Sequence, residues 1–180
     1  MIRVVRTSLE ETDAAAILRP VSAEWDAVTP TMRRLELAAG PSVGEQCQRL
    51  GELPVGSAVI TAAGALRAQF MVHAIVRSVD EAVSASGVRR ALQNSLRRLS
   101  EWAIDSVAMP PLGTGAGNLD AEEAALTMLP ALVEHMHESA HPRQVDICVD
   151  TDYERDAFAR ALARHAPDAP DSATDDRGCS

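Results

Sequence analysis

Short apolar runs of Ala, Val, Ile, Leu and Met recur along this chain between segments of helical period, and few folds accept that order. Residues 14–18, 58–62 and 70–76 are apolar on both faces, as strands buried in a parallel sheet are. Residues 2–6, 107–109 and 145–149 are three further strand candidates. The segments between them carry helix signals. Thr29-Pro30 supplies an N-cap and a proline at the first helical position, and Gly40 closes that helix. A second helical segment covers 41–50, with Gly51 after it. Leu92, Leu96, Leu99, Trp102 and Ala103 mark one side of a long amphipathic helix over 88–104. Asp120 with Glu123 makes a capping box for a helix reaching about Met136, and 153–165 forms the last helix. Strands that alternate with helices predict an α/β fold whose mixed, mostly parallel central sheet is covered on both sides.

A chain of 180 residues suits one domain of this kind, and aromatic residues make up only 3%, so Ala, Val, Leu and Ile must build the core. The formal net charge of −9 excludes a general nucleic-acid binder, which needs a basic face. All 17 basic residues are Arg, which reads as the codon usage of a GC-rich genome before it reads as function. The three cysteines lack metal-ligand spacing and suit a reducing compartment. No apolar run is long enough for a bilayer, and the expected location is cytoplasmic. Residues 166–180 are rich in Pro, Asp, Ser, Thr and Gly without apolar period. The expectation is one domain over 1–165 followed by a disordered acidic tail.

The chemistry concentrates in Met109-Pro-Pro-Leu-Gly-Thr-Gly-Ala-Gly-Asn-Leu-Asp120. Gly113, Gly115 and Gly117 stand between a buried strand and a capped helix, where glycine lets the backbone approach an anion. Successive amides there can converge on a phosphate, and ligands of open α/β sheets sit beyond the carboxyl ends of the strands. A tight strand-to-helix turn without a ligand fits the glycine spacing equally. The loop is neither a Walker loop nor GxGxxG. His73 reads as a core imidazole and Cys47 and Cys148 as small core residues. His135 and His137 read as helix-end residues, and no metal or cofactor pattern is complete.

Pro-Leu-Gly-Thr-Gly-Ala-Gly followed by Asp-Ala-Glu-Glu-Ala-Ala resembles the second phosphate-binding loop of macro domains. Residues 58–76, AVITAAGALRAQFMVHAIV, are similar to that family's central strand pair. Residues 91–99, ALQNSLRRL, and Leu37-Ala-Ala-Gly40 followed by Cys47 resemble two of its helices. The resemblance implies a three-layer α/β/α fold and a ligand such as ADP-ribose or a related phosphorylated nucleotide, free or carried on an ADP-ribosylated protein. It implies binding by Leu112, Gly113, Thr114, Gly115, Ala116, Gly117 and Asn118, with the end of the final strand, Asp150 to Tyr153, beside the adenine and Tyr153 offering a ring face or packing at the helix start.

Several family positions differ. Arg6-Thr-Ser-Leu9 stands where the family has a turn whose Asp contacts adenine. The family's "NAAN" appears as Arg19-Pro-Val-Ser22, and its first glycine loop as Val28-Thr-Pro-Thr-Met32. The hydrolase Asn and acidic residue therefore match Ser22 and Met32, which implies binding without turnover. Arg19-Pro20 is expected to stop the second strand and to place Arg19 at the crevice. There it would grip a phosphate or pair with Glu24 or Asp26. Thr29 and Thr31 offer a helix N-terminus to an anion. Trp25 either covers the pocket or packs on the sheet. Two other readings remain: hydrolysis through Arg19, Ser22 or Thr31, and a scaffold that has lost its ligand.

Overall fold

A computed structural model describes residues 1–115 and 118–165. Six strands, β1 (Ile2–Val5), β2 (Ala16–Ser22), β3 (Ala58–Ala62), β4 (Phe70–Arg77), β5 (Ser106–Met109) and β6 (Gln144–Cys148), form one sheet in the order β1-β6-β5-β2-β4-β3. Every neighbouring pair is parallel except β3 with β4. The helices are α1 (Pro30–Ala39), α2 (Pro41–Leu50), α3 (Ala85–Glu101), α4 (Ala121–Glu138) and α5 (Asp152–Ala163). No helix among the described residues is long and apolar enough to cross a membrane.

Alternation along the strands sorts side chains to two cores. Ala16 and Leu18 of β2 and Val72, Ala74 and Val76 of β4 pack with α3, α4 and Phe158 of α5. Ile17 and Met71 point the other way and pack with Met32, Leu35 and Ala39 of α1 and Val43 and Cys47 of α2. The result is the three-layer α/β/α arrangement expected from the sequence.

The helix starts follow their signals. Thr29 Oγ1 accepts from Met32 N–H at 3.2 Å, and Asp120 with Glu123 closes a capping box on α4. Such caps contribute about 1 kcal/mol each. A second box, Thr151 with Glu154, starts α5. Ser84 caps α3, which therefore begins at Ala85, one turn before the sequence expectation.

The second strand corrects another expectation, because Arg19-Pro20 does not stop it. The ladder to β4 runs on through Arg19↔His73, Pro20↔Ala74 and Val21↔Ile75. On its other side β2 pairs with β5 only at Ala16 and Ile17. The N–H that Pro20 lacks falls on that uncovered side, so no ladder bond is lost.

The β3–β4 connection is seated on the end of α1. Ala65 N–H donates to Ala39 O at 2.9 Å. Gly64 lies at φ +65°, and a Cβ there would stand 2.1 Å from Ala39 O. Gly64→Ala should lower folding stability by about 3 kcal/mol, combining a left-handed backbone with a backbone clash. Urea unfolding checks this. Gly40→Ala, at φ +83° with nothing within 4 Å, should cost about 1 kcal/mol.

Candidate functional site

The crevice opens where β5 ends and the chain leaves the sheet through Pro110 and Pro111. Its volume is about 200 Å³. Thr7 and Leu9 line it after β1, Pro20 from β2, and Thr29, Thr31 and Met32 from the start of α1. Thr114 and Gly115 face them after β5, and Cys148, Asp150 and Glu154 close the far side after β6. All of these except Pro20 and Cys148 lie on connections or first helical turns at the carboxyl edge, where open α/β sheets bind ligands.

The glycine loop is folded tightly on itself. Asn118 N–H donates to Gly115 O and Leu119 N–H to Gly113 O, both at 3.1 Å. Leu112 is fully buried, and its N–H donates to Met128 Sδ at 3.1 Å. Thr114 Oγ1 donates to Pro111 O at 3.2 Å. The amides of Leu112 and Asn118 are thus already bonded, while those of Gly113 and Thr114 meet no acceptor among the described residues. Gly113 lies at φ +78° and Gly115 at φ +133°. A Cβ on Gly113 would strike Val88 Cγ2 at 2.6 Å, and one on Gly115 would stand 3.5 Å from Thr29 Cγ2. The glycine loop and the start of α1 therefore face each other across the crevice. Ala116 and Gly117, both expected to bind ligand, lie outside the described residues.

Among the described residues, the only charged side chains lining the crevice are Asp150 and Glu154. Thr31 Oγ1 donates to Asp150 Oδ2 at 2.8 Å, a bond that ties α1 to the β6–α5 connection. Glu154 Oε2 accepts from Asp150 N–H at 2.9 Å and Thr151 N–H at 3.1 Å. An anion in the crevice would therefore rely on backbone amides and the N-terminus of α1 rather than on side-chain cations. Burial pushes the Cys148 thiol up to about 12, with the carboxylates of Asp146 and Asp150 adding to the effect. That thiol is a wall of the crevice, not a nucleophile. No group of three His, Cys, Asp or Glu among the described residues could hold a metal ion.

Six residues expected to bind ligand do not line the crevice: Leu112, Gly113 and Asn118 of the glycine loop, and Arg19, Ser22 and Tyr153. Arg19 belongs to the face of β2 under α1 and α2, and its side chain is only 2% exposed. Its Nη1 pairs with Glu36 Oε1 at 2.5 Å, not with Glu24 or Asp26. Its Nε–H donates to His73 Nδ1 at 2.9 Å. Ser22 is buried, and its Oγ accepts from Asp26 N–H at 3.1 Å to hold the turn after β2. Tyr153 is 57% exposed at the start of α5 and does not line the crevice. Trp25 packs edge-on against His73, with ring centroids 5.8 Å apart. Conversely, Thr7, Leu9 and Glu154 escaped the sequence reading of the site, which had placed Asp150 at the adenine end. Their position just after β1 and β6 was the available signal.

His73 is fully buried between Arg19 and Thr61. Because its Nδ1 accepts from Arg19, its Nε2 carries the proton and donates to Thr61 Oγ1 at 2.8 Å. Burial, with the Arg19 charge adding to it, holds the imidazole well below its ordinary value of 6.5.

The fold and its carboxyl-edge crevice define a three-layer α/β/α domain with a small-ligand cleft at the switch between β5 and β2. The macro domain family model matches residues 32–128, over half of the chain. An uncharacterized protein of Aeropyrum pernix is 33% identical over 126 residues, covering 69% of this chain and 67% of that protein. An ADP-ribose glycohydrolase of Bos taurus is 30% identical over 136 residues, covering 72% of this chain and 41% of that protein. An Oceanobacillus iheyensis macrodomain solved with ADP superposes with a TM-score of 0.82 at 18% identity over 90% of each chain. This chain belongs to the macro domain family.

The His73 environment sets a pH dependence of stability. The folded imidazole stays neutral, whereas the unfolded one takes a proton near 6.5. Its contribution is therefore complete above that value and lost as pH falls toward the depressed folded value. Urea midpoints should fall between about pH 7.5 and about pH 5.5, and His73→Gln should flatten that dependence.

Proposed function

We propose that this macro domain binds ADP-ribose, or a closely related nucleotide diphosphate, in the crevice between the glycine loop and the start of α1, and does not hydrolyse it. Family membership supports the ligand class. The observation that carries the reading is the pair of amides at Gly113 and Thr114, which meet no acceptor among the described residues, in a loop whose Gly115 stands across the crevice from Thr29. A diphosphate needs convergent donors, and this loop with the helix end supplies them without a cation. Trypanosoma brucei has a macrodomain, solved in complex with ADP-ribose, that superposes with a TM-score of 0.80 at 14% identity, covering 89% of this chain and 68% of that one. An ADP-ribosyl group carried on a protein presents the same chemistry.

Two features favour binding without turnover. Ser22 spends its hydroxyl on the turn after β2, and Met32 is buried with its amide on Thr29. The two carboxylates of the crevice are engaged as well, Asp150 by Thr31 and Glu154 by the cap of α5. Each keeps one carboxylate oxygen without a bond, but neither stands at the positions of the family's hydrolase residues, which are Ser22 and Met32 here. Asp150 has the further use of offering an acceptor to the exocyclic amine of the base, a role that the Arg6-Thr-Ser-Leu9 turn lacks.

Calorimetric titration with ADP-ribose tests the reading. The wild-type chain should bind saturably and release no product over hours. Gly115→Val should weaken binding by about tenfold or more, roughly 1.4 kcal/mol, because its side chain would fill the gap toward Thr29. Equal affinity in the two proteins, or steady hydrolysis by the wild type, contradicts it.

A further inference from the structure

A second cavity, of about 400 Å³, lies between α1, α2 and the turn that follows β2. It shares no lining residue with the crevice. Arg19 lines it from the strand beneath. Nε of that guanidinium is spent on His73 and Nη1 on Glu36. Nη2 has no hydrogen-bond partner among the described residues, yet it is not one of the sealed polar atoms that lack a partner. The 2% of the side chain that remains accessible therefore opens onto this cavity. A buried guanidinium with one amino group turned toward a cavity is an anion receptor with a fixed direction.

The walls narrow the class of anion. Trp25 is held at φ 73°, a left-handed backbone unusual for a bulky residue. Its indole N–H is anchored to Gly51 O at 2.9 Å. Strain of this sort persists where the surroundings fix a side chain in place, and here it fixes an aromatic wall. Val43 adds a buried apolar surface, with Leu37 and Pro41 at the mouth. Glu24, Asp26 and Glu36 line the same cavity against two arginines, Arg19 and Arg33. That excess of carboxylate opposes any anion and a dianion such as phosphate most, and the bare amino group of Arg19 serves one oxygen.

We propose that this cavity is a second ligand site, for a small monocarboxylate with an aromatic or branched apolar body. The carboxylate accepts from Arg19 Nη2, and the body lies between Trp25 and Val43. The site is independent of the nucleotide crevice and stands whether or not ADP-ribose binds.

Benzoate is the probe, with benzyl alcohol as its uncharged counterpart and inorganic phosphate as the dianion. Titrations are followed by the indole N–H resonance of Trp25. Benzoate should shift that resonance saturably, and benzyl alcohol should bind about tenfold more weakly or less, while phosphate has no effect. Gly44 lines the cavity, and a Cβ there meets nothing within 4 Å. Gly44→Phe should therefore fold normally, keep its unfolding midpoint and lose benzoate binding. A paired variant, Arg19→Gln with Glu36→Gln, removes both charges together and should erase the preference for benzoate over benzyl alcohol. The proposal is overturned by the absence of a saturable shift up to tens of millimolar, by equal binding of benzyl alcohol, or by unchanged binding in Gly44→Phe.

Discussion

Beyond Ile17, strand β2 has no strand partner on its β5 side, only the bridge from Val21 to Ala27 in the turn that follows it, and the rest of the molecule is arranged around that gap. β5 stops at Met109 while β2 continues to Ser22. The space between them is where a parallel sheet can admit a ligand. Pro20 tolerates the gap because it has no N–H to leave unbonded, and Pro110 with Pro111 keeps β5 from extending to fill it. The glycine loop then crosses from β5 to α4 and the Thr29-Pro30 start of α1 comes up from β2. Two connections from neighbouring strands therefore face one another across a narrow crevice.

The same strand carries its polar demand to the opposite end of the α1–α2 layer. Burying Arg19 removes a charge from water, a loss that only close partners offset. Glu36 of α1 and the neutral imidazole of His73 supply them, with Thr61 behind the ring. One guanidinium thus ties β2, β4, β3 and α1 together, and it does so away from the crevice. Removing Glu36 alone would leave a buried charge uncompensated and removing His73 would leave Arg19 Nε without an acceptor, so this network fixes how α1 sits on the sheet and hence where the N-terminus of α1 points.

Much of this was readable in the chain. Thr29-Pro30 and Asp120 with Glu123 mark helix starts by local hydrogen bonding, and such signals need no knowledge of the fold. The runs at 14–18, 58–62 and 70–76 reveal buried strands by composition alone. Arg19 was misread because an Arg-Pro pair ordinarily ends a strand. Its tolerance depends on β5 being short on one side, a property of residues almost ninety positions away. Its partner His73 lies 54 residues distant, beyond the reach of local pattern. The crevice was legible on the glycine loop, whose backbone needs are local, and at Asp150 only through the family resemblance, while Thr7 and Glu154 carry no local signal. Those residues become neighbours only through the parallel pairing of β1 with β6.

Ligand binding in the crevice depends on the donor pair at Gly113 and Thr114 being available to an anionic oxygen. Amide resonances of the nitrogen-15-labelled chain during titration with ADP-ribose examine that directly. Gly113 and Thr114 N–H signals should move downfield together and saturate with the ligand, while Asn118 and Leu119, already bonded within the loop, move less. Saturable binding that leaves the Gly113 and Thr114 signals in place would contradict it.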